Sequence, residues 1–370
     1  MKILFIITAL GIGGAEKMML DVCPEIVKNG AEIKVIYLKP LVDFIPELER
    51  SGIFPVFVNY DKLGFFGARK EIKKIIKEFT PDIVHTHLPL ADILGRFAGL
   101  FSKASGIIAT IHNPDEWKKS KKLKDRILKL FNRFSVNCFS KVMLVSVSDF
   151  VRNYCIKHEK IKPNKIKTIY NFINISPDLS AYPAKDSNVF TVLNVGRLES
   201  QKSQITLLKA ANLLINHENR HTFRFIIVGD GSLRFELQKY IDSNNLNAYV
   251  TLAGHQNDVK SFLAGADVFV LTSLYEGFCL SIFEAFICNV PVIATEIPTM
   301  TELVRGTRGI MVPCEDEKIL SDKIIQVADK KIDTSEMCQN AQEFALSLNL
   351  KTHVEELMSL YQKMVKRRSL

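Results

Sequence analysis

Short apolar runs rich in Val, Ile and Phe alternate with helical stretches along this chain, and the series runs through twice. The first series predicts strands over 3–7, 33–38, 56–58, 83–85, 107–110 and 142–147. Helices are expected near 15–29, 69–79, 91–101 and in a basic segment, 117–134. The stretch from Asn174 to Ser187, rich in Pro, Ser and Asp, reads as a linker. The series then restarts with strands over 190–195, 223–228 and 250–253 and helices near 204–215 and 233–243. Strands separated by helices join through crossovers, which place them parallel. The fold class expected is therefore α/β, with two Rossmann-like doubly wound domains at 1–176 and 188–350 and a terminal segment, 351–370. In that last segment Val354, Leu357, Met358, Tyr361, Met364 and Val365 recur at helical spacing.

Length supports two domains, because 370 residues is more than twice a domain of roughly 150. No run reaches about 18 apolar residues, so no membrane span is expected. The apolar start, residues 1–10, passes straight into Gly11-Ile-Gly-Gly-Ala-Glu16 and reads as a first strand and its turn rather than a secretion leader. Seven cysteines, odd in number and without close pairing, argue against a disulfide framework or a zinc site and for a reducing compartment. The net charge of +9 is unevenly divided, with residues 1–175 carrying +12 and the remainder −3. In the basic segment Leu123, Ile127, Leu130, Phe131 and Phe134 fall on one helical face and the cations on the others. That pattern fits a core-packed helix with a solvated back as well as a contact with an anionic membrane face.

Four constellations carry chemistry. Asp267-Val-Phe-Val-Leu-Thr-Ser273 reads as a strand and Pro291-Val-Ile-Ala-Thr295 as the next. Between them, Glu276-Gly-Phe-Cys-Leu-Ser-Ile-Phe-Glu284 is a loop entering a helix, with a carboxylate at each end. Ligands of open parallel sheets bind beyond the carboxyl ends of the strands, and a carboxylate there accepts two hydroxyl hydrogens at once. Gly196-Arg-Leu-Glu-Ser-Gln-Lys202 follows the strand at 190–195 and places Arg197 and Lys202 where they would neutralise a diphosphate. Gly11-Ile-Gly-Gly14 follows the first strand and lets backbone N–H groups approach an anion. A dinucleotide-binding reading of that loop would need an acid at the end of the second strand, which instead ends Tyr37-Leu-Lys39. His112 lies just past a strand end, facing the cleft, where an imidazole would hydrogen-bond a ligand hydroxyl or move a proton. His85 and His87 read as two strand-end histidines, since no Cys or carboxylate nearby completes a ligand set.

The Glu276–Glu284 segment resembles that of the retaining glycosyltransferases of family 4, which have the GT-B fold, and the resemblance extends over nearly the whole chain. Ile169-Tyr-Asn171, Val228-Gly-Asp-Gly and the turn at Gly254 also fit it, whereas Ser203 stands where the family has Gly. The resemblance implies two domains facing across a cleft and a terminal helix crossing back to the first. It implies that Glu284 binds the donor ribose, that Glu276 contacts the transferred sugar, and that Gly277, Phe278, Cys279 and Leu280 meet the sugar and diphosphate through their backbone. Gly254 would frame the nucleobase, Gly13 and Gly14 would approach the donor, and His112, Glu276, Arg197 and Lys202 would be catalytic.

The reaction implied is transfer of a sugar, with retention, from a nucleotide sugar, a UDP-sugar above all, to a glycan or lipid-linked saccharide in surface polysaccharide synthesis. The chain has no Asp-x-Asp, so neither a metal nor another cofactor is required. The partners implied are the donor, the acceptor and the inner face of the cytoplasmic membrane, touched through the basic domain, with no nucleic acid. The location implied is the cytoplasm. A nucleotide-sugar epimerase or other GT-B enzyme, and a non-catalytic membrane or nucleic-acid binding protein, are the alternatives.

Overall fold

The computed structural model describes residues 1–113, 123–174, 178, 182, 185, 186 and 188–369. The chain divides into two compact units, Met1–Phe172 together with Leu348–Leu370, and Ile173–Ser347.

In the first unit, the strands among the described residues are β1 (Lys2–Ile7), β2 (Glu32–Tyr37), β3 (Val56–Phe57), β4 (Ile83–His87), β5 (Gly106–Ile111), β6 (Val142–Ser146) and β7 (Ile166–Thr168). They form one parallel sheet in the order β3-β2-β1-β4-β5-β6-β7. Its helices are α1 (Gly14–Lys28), α2 (Ile45–Arg50), α3 (Tyr60–Phe79), α4 (Pro89–Gly99), α5 (Leu123–Cys138) and α6 (Asp149–His158). Strand side chains alternate between faces, so Ile3, Phe5 and Ile7 share one face with their partners Ile83, His85 and His87. Met18, Met19, Val22 and Ile26 of α1 cover that face, as do Val354, Leu357, Leu360, Tyr361 and Met364 of the terminal helix. Gly106 admits the terminal helix: a Cβ there would come within 2.9 Å of Met364.

The second unit repeats the plan with β8 (Phe190–Val195), β9 (Phe223–Val228), β10 (Val250–Gly254), β11 (Val268–Leu271), β12 (Val292–Thr295) and β13 (Ile310–Val312). Their order is β10-β9-β8-β11-β12-β13, again parallel. Its helices are α7 (Gln204–Asn212), α8 (Arg234–Ser243), α9 (Val259–Ala264), α10 (Leu280–Ile287), α11 (Pro298–Leu303), α12 (Glu317–Ala328) and α13 (Ser335–Ser347); the terminal helix is α14 (Leu350–Ser369). Both doubly wound sheets expected from the sequence are present. The strand order reverses between β1 and β4 and again between β8 and β11, and each reversal opens a crevice at the carboxyl ends. Among the described residues no helix is long and apolar enough to cross a membrane.

Two local expectations change. His85 and His87 stand toward the end of β4 as expected, but inside the unit rather than on an open edge: both rings are buried, at 0% and 1% exposure, and line a small cavity with residues of α1 and α14. In the basic segment, residues 117–122 and the side chains of Leu123 and Ile127 lie outside the described residues. Beyond them α5 does not bury its apolar stripe. Phe131 stacks on Phe97, but Leu130 and Phe134 are exposed while Asn132 and Ser135 are buried. The reason is Arg96, fully buried in α4, whose guanidinium donates to Asn132, Ser135 and Asp92 and draws the polar side of α5 inward.

Candidate functional site

At the β8–β11 reversal, the loop leaving β8 carries Arg197 and Lys202 and the loop leaving β11 carries Glu276. Lys202 Nζ lies 2.6 Å from Glu276 Oε1, with the two side chains 14% and 7% exposed. Ser273 Oγ donates to the same carboxylate oxygen at 2.7 Å. Gln201 Nε2 reaches the other oxygen at 3.4 Å while donating to the Tyr275 carbonyl at 2.8 Å. The loops are also stitched by Thr272 Oγ1 to the Lys202 carbonyl and by Leu274 N to the Gln201 carbonyl, both 2.8 Å. Thr299, on α11, donates to the Glu276 carbonyl, and Thr295 donates to that of Ser273. Burial by itself would lower the Lys202 pKa; Glu276 outweighs it and Arg197 opposes, so that the ammonium is held above its ordinary range. Lys202 commits one of its three N–H donors to Glu276.

Behind this pair the chain enters α10, with Cys279 at its N-cap and no acidic residue in its first turn, and such a helix start favours an anion. Gly277, Phe278 and Cys279 are buried, and Phe278 stacks on Phe283 with centroids 4.4 Å apart. Burial raises the Cys279 thiol pKa, so it stays protonated. Glu284, the fifth residue of α10, is buried at 9% exposure. Arg197 is exposed.

The Gly229-Asp-Gly231 turn braces the Arg197 loop. Gly229 has φ +137, and a Cβ there would sit 2.0 Å from the Gly196 carbonyl oxygen. Ser232 donates to Glu199 through its backbone and its hydroxyl, at 3.1 and 2.9 Å. Gly254 closes β10 with φ +71 and accepts from Gly229 N at 2.8 Å.

The first unit holds the remaining predicted residues. Gly13 caps α1 in an extended conformation and Gly14 begins the helix, so both sit at the carboxyl end of β1. His112 follows β5 on the same face as Thr110, and its Nε2 lies 3.1 Å from His87 Nδ1. His85 bonds Tyr361 at 2.6 Å and Thr110 at 2.7 Å. Burial lowers all these imidazoles: His85 to about 3, His112 to about 4, and His87 well below its ordinary value.

Within the second unit the fold thus brings Lys202 and Glu276 into contact and sets Arg197 on the same loop as Lys202. Gly13, Gly14 and His112 belong to the other unit. Sequence reasoning missed Gln201 and Ser273, which orient Glu276. It had no signal for them beyond their place in the same loops.

Residues 177–344 match the family described as glycosyl transferases group 1, and residues 12–177 match glycosyltransferase family 4. The chain is 28% identical to the UDP-Gal:alpha-D-GlcNAc-diphosphoundecaprenol alpha-1,3-galactosyltransferase of Escherichia coli, over 88% of this chain and 87% of that protein. It is 26% identical, over 96% of each chain, to the Campylobacter jejuni GalNAc-alpha-(1->4)-GalNAc-alpha-(1->3)-diNAcBac-PP-undecaprenol alpha-1,4-N-acetyl-D-galactosaminyltransferase. Its fold superposes on Anabaena Alr3699/HepE, solved in complex with UDP and glucose, with a TM-score of 0.84 at 20% identity, covering 98% of this chain and 100% of the other.

Proposed function

The chain is a glycosyltransferase of the GT-B fold, related to the group 1 and family 4 glycosyltransferases, and from that premise we propose that its second unit binds a UDP-sugar and that the sugar passes, with retention, to a lipid-linked saccharide. The observation that carries this reading is the buried Lys202–Glu276 pair at the β8–β11 reversal, with the N-terminus of α10 beside it. Arg197 and the two uncommitted N–H donors of Lys202 take the diphosphate. The leaving UDP gains charge as the glycosidic bond breaks, so both cations act more strongly in the transition state than on the bound donor. Glu276, oriented by Ser273 and Gln201, accepts from hydroxyls of the sugar, Glu284 from those of the ribose, and Gly254 frames the base. Retention follows when the acceptor attacks on the face the phosphate leaves, the phosphate oxygen taking the acceptor proton. No step of this scheme needs a metal or another cofactor.

A lipid-linked acceptor is supported by the diphosphoundecaprenol acceptors for which the two bacterial relatives are named. With such an acceptor the enzyme would work at the cytoplasmic face of a membrane, in the synthesis of a surface polysaccharide. On α5, exposed Leu130 and Phe134 beside exposed Lys129 and Arg133 form the surface suited to that contact. Calorimetric titration of UDP, GDP and ADP tests the donor site. UDP is expected to bind, and Glu284→Ala and Arg197→Ala, each correctly folded, to lose that binding. UDP binding that survives both substitutions, or no nucleotide binding at all, would overturn the assignment.

A further inference from the structure

Beneath His112 the first unit contains a small cavity, mostly apolar in its lining but with a few polar groups, that the donor chemistry does not use. It is lined by Phe5, Met18, Val22 and Leu357 on the apolar side, and by His87, His353 and Asn171 on the polar side. About 10 Å³ is open to the centre of a water-sized sphere, room for roughly one water. His87 Nε2, His353 Nε2 and Asn171 Oδ1 are buried and have no hydrogen-bond partner among the described residues. Such groups are costly to bury unpaired, and three of them share this one cavity.

One bond fixes a proton outright, and a water held in the cavity would set the rest. His353 Nδ1 lies 2.7 Å from the Tyr170 carbonyl oxygen. A carbonyl only accepts, so Nδ1 carries the proton and, in the neutral ring, Nε2 presents a lone pair to the cavity. Asn171 Oδ1 is a second acceptor. A water between them donates once to each and then needs a donor, which His87 Nε2–H supplies. His87 Nδ1 is then the acceptor in its 3.1 Å bond to His112 Nε2, so His112 carries its proton on Nε2 and keeps Nδ1 as a free base. Burial holds His353 and His112 at pKa values of about 4, so both rings are neutral near pH 7.

Backbone strain stands at the same corner. Leu88, immediately after His87, has φ 71 and ψ 151, a region side chains rarely adopt. Strain of this kind persists only where the surroundings over-determine it, and it concentrates at functional sites.

We propose that His87 is a positioning residue that sets the tautomer and ring orientation of His112, and that a cavity water shared with His353 and Asn171 aims His87, so that α14 is linked to the reacting end of the first unit. The catalytic consequence rests on the reading of His112 as a catalytic residue; the tautomer does not. Histidine labelled with ¹⁵N in the ring, in the full-length protein at pH 7, reports it directly. The His112 signals, assigned by their loss in His112→Asn, are expected to be those of a neutral Nε2–H ring, and to move toward Nδ1–H in Asn171→Leu. A neutral Nδ1–H ring or an imidazolium at His112 in the wild type would overturn the proposal. So would an unchanged spectrum in a folded Asn171→Leu.

For activity, His87→Ala should lower kcat on the order of tenfold to a hundredfold with unchanged UDP affinity. His87→Asn, which keeps an acceptor near the Nδ1 position, should recover much of the loss. Equal losses in both folded variants would overturn the positioning role. If the wild type transfers no sugar while the NMR result holds, the functional reading fails and the proton arrangement stands.

Discussion

Ser203 follows the loop that carries Arg197 and Lys202, and it holds a left-handed backbone, φ 46 and ψ 43. That conformation explains why a glycine suits the position, since a side chain there costs roughly 1 kcal/mol. Ser203 offsets part of the cost through a 3.0 Å bond to Thr206. In denaturant titrations Ser203→Gly is expected to be more stable than Ser203→Ala by about 1 kcal/mol, because both lose the hydroxyl and only glycine loses the strain; equal stabilities would refute the argument. At the neighbouring pair, Lys202→Ala leaves Glu276 buried without its cation and should cost about 3 kcal/mol. Lys202→Ala combined with Glu276→Ala should cost clearly less than the sum of the single changes, and additive losses in the double-mutant cycle would mean the two groups are not coupled. The loop positions of Arg197, Lys202 and Glu276 and the helix position of Glu284 were legible in the sequence because each belongs to a short motif that follows a strand. Gln201 and Ser273 were not, because what they do depends on meeting Glu276, and Gln201 lies 75 positions from it.

Among the elements, α4 and α5 are joined through a buried cation. Arg96, at 0% exposure, donates to Asp92 within α4 and to Asn132 and Ser135 on α5, and lies over the Phe131 ring, with Asn132 donating onward to Glu159. Burial raises the Asp92 pKa, with Arg96 and Thr86 pulling it back. Arg96→Ala should therefore cost about 3–5 kcal/mol by stranding Asp92. Amide exchange over α5 should quicken with it, whereas Arg96→Met with Asp92→Leu should restore much of the loss. Slow exchange of α5 in Arg96→Ala would show that the helix is held by other contacts. The alternation that predicted α5 could not show which face turns inward, since an apolar stripe normally does. Here one buried guanidinium outweighed Leu130 and Phe134. Two further elements, β7 and β13, of three residues each, were not read as strands from the sequence.

Over the whole molecule, the buried imidazoles of the first unit set a dependence on pH. The folded pKa values of about 3 for His85 and about 4 for His112 and His353 lie below the ordinary 6.5. As pH falls from 6.5 toward 4 the unfolded chain takes up protons that the folded chain refuses, so stability is full above 6.5 and is lost below it. Denaturant midpoints should fall steadily over that window, and His353→Gln should flatten the slope; a flat profile in the wild type would mean these rings are already charged in the fold. The sequence by itself determined the two doubly wound sheets, the helical character of the last segment and the positions of the charged residues proposed to meet the donor, because period, turn chemistry and strand-end motifs are local properties of the chain. Tertiary structure alone decided that Lys202 pairs with Glu276, that Arg96 turns α5, and that His87 meets His112 over a cavity closed by α14. Each of these contacts joins side chains from separate elements, and only the order of strands in a sheet and the packing of helices across it bring such groups within a hydrogen bond of one another.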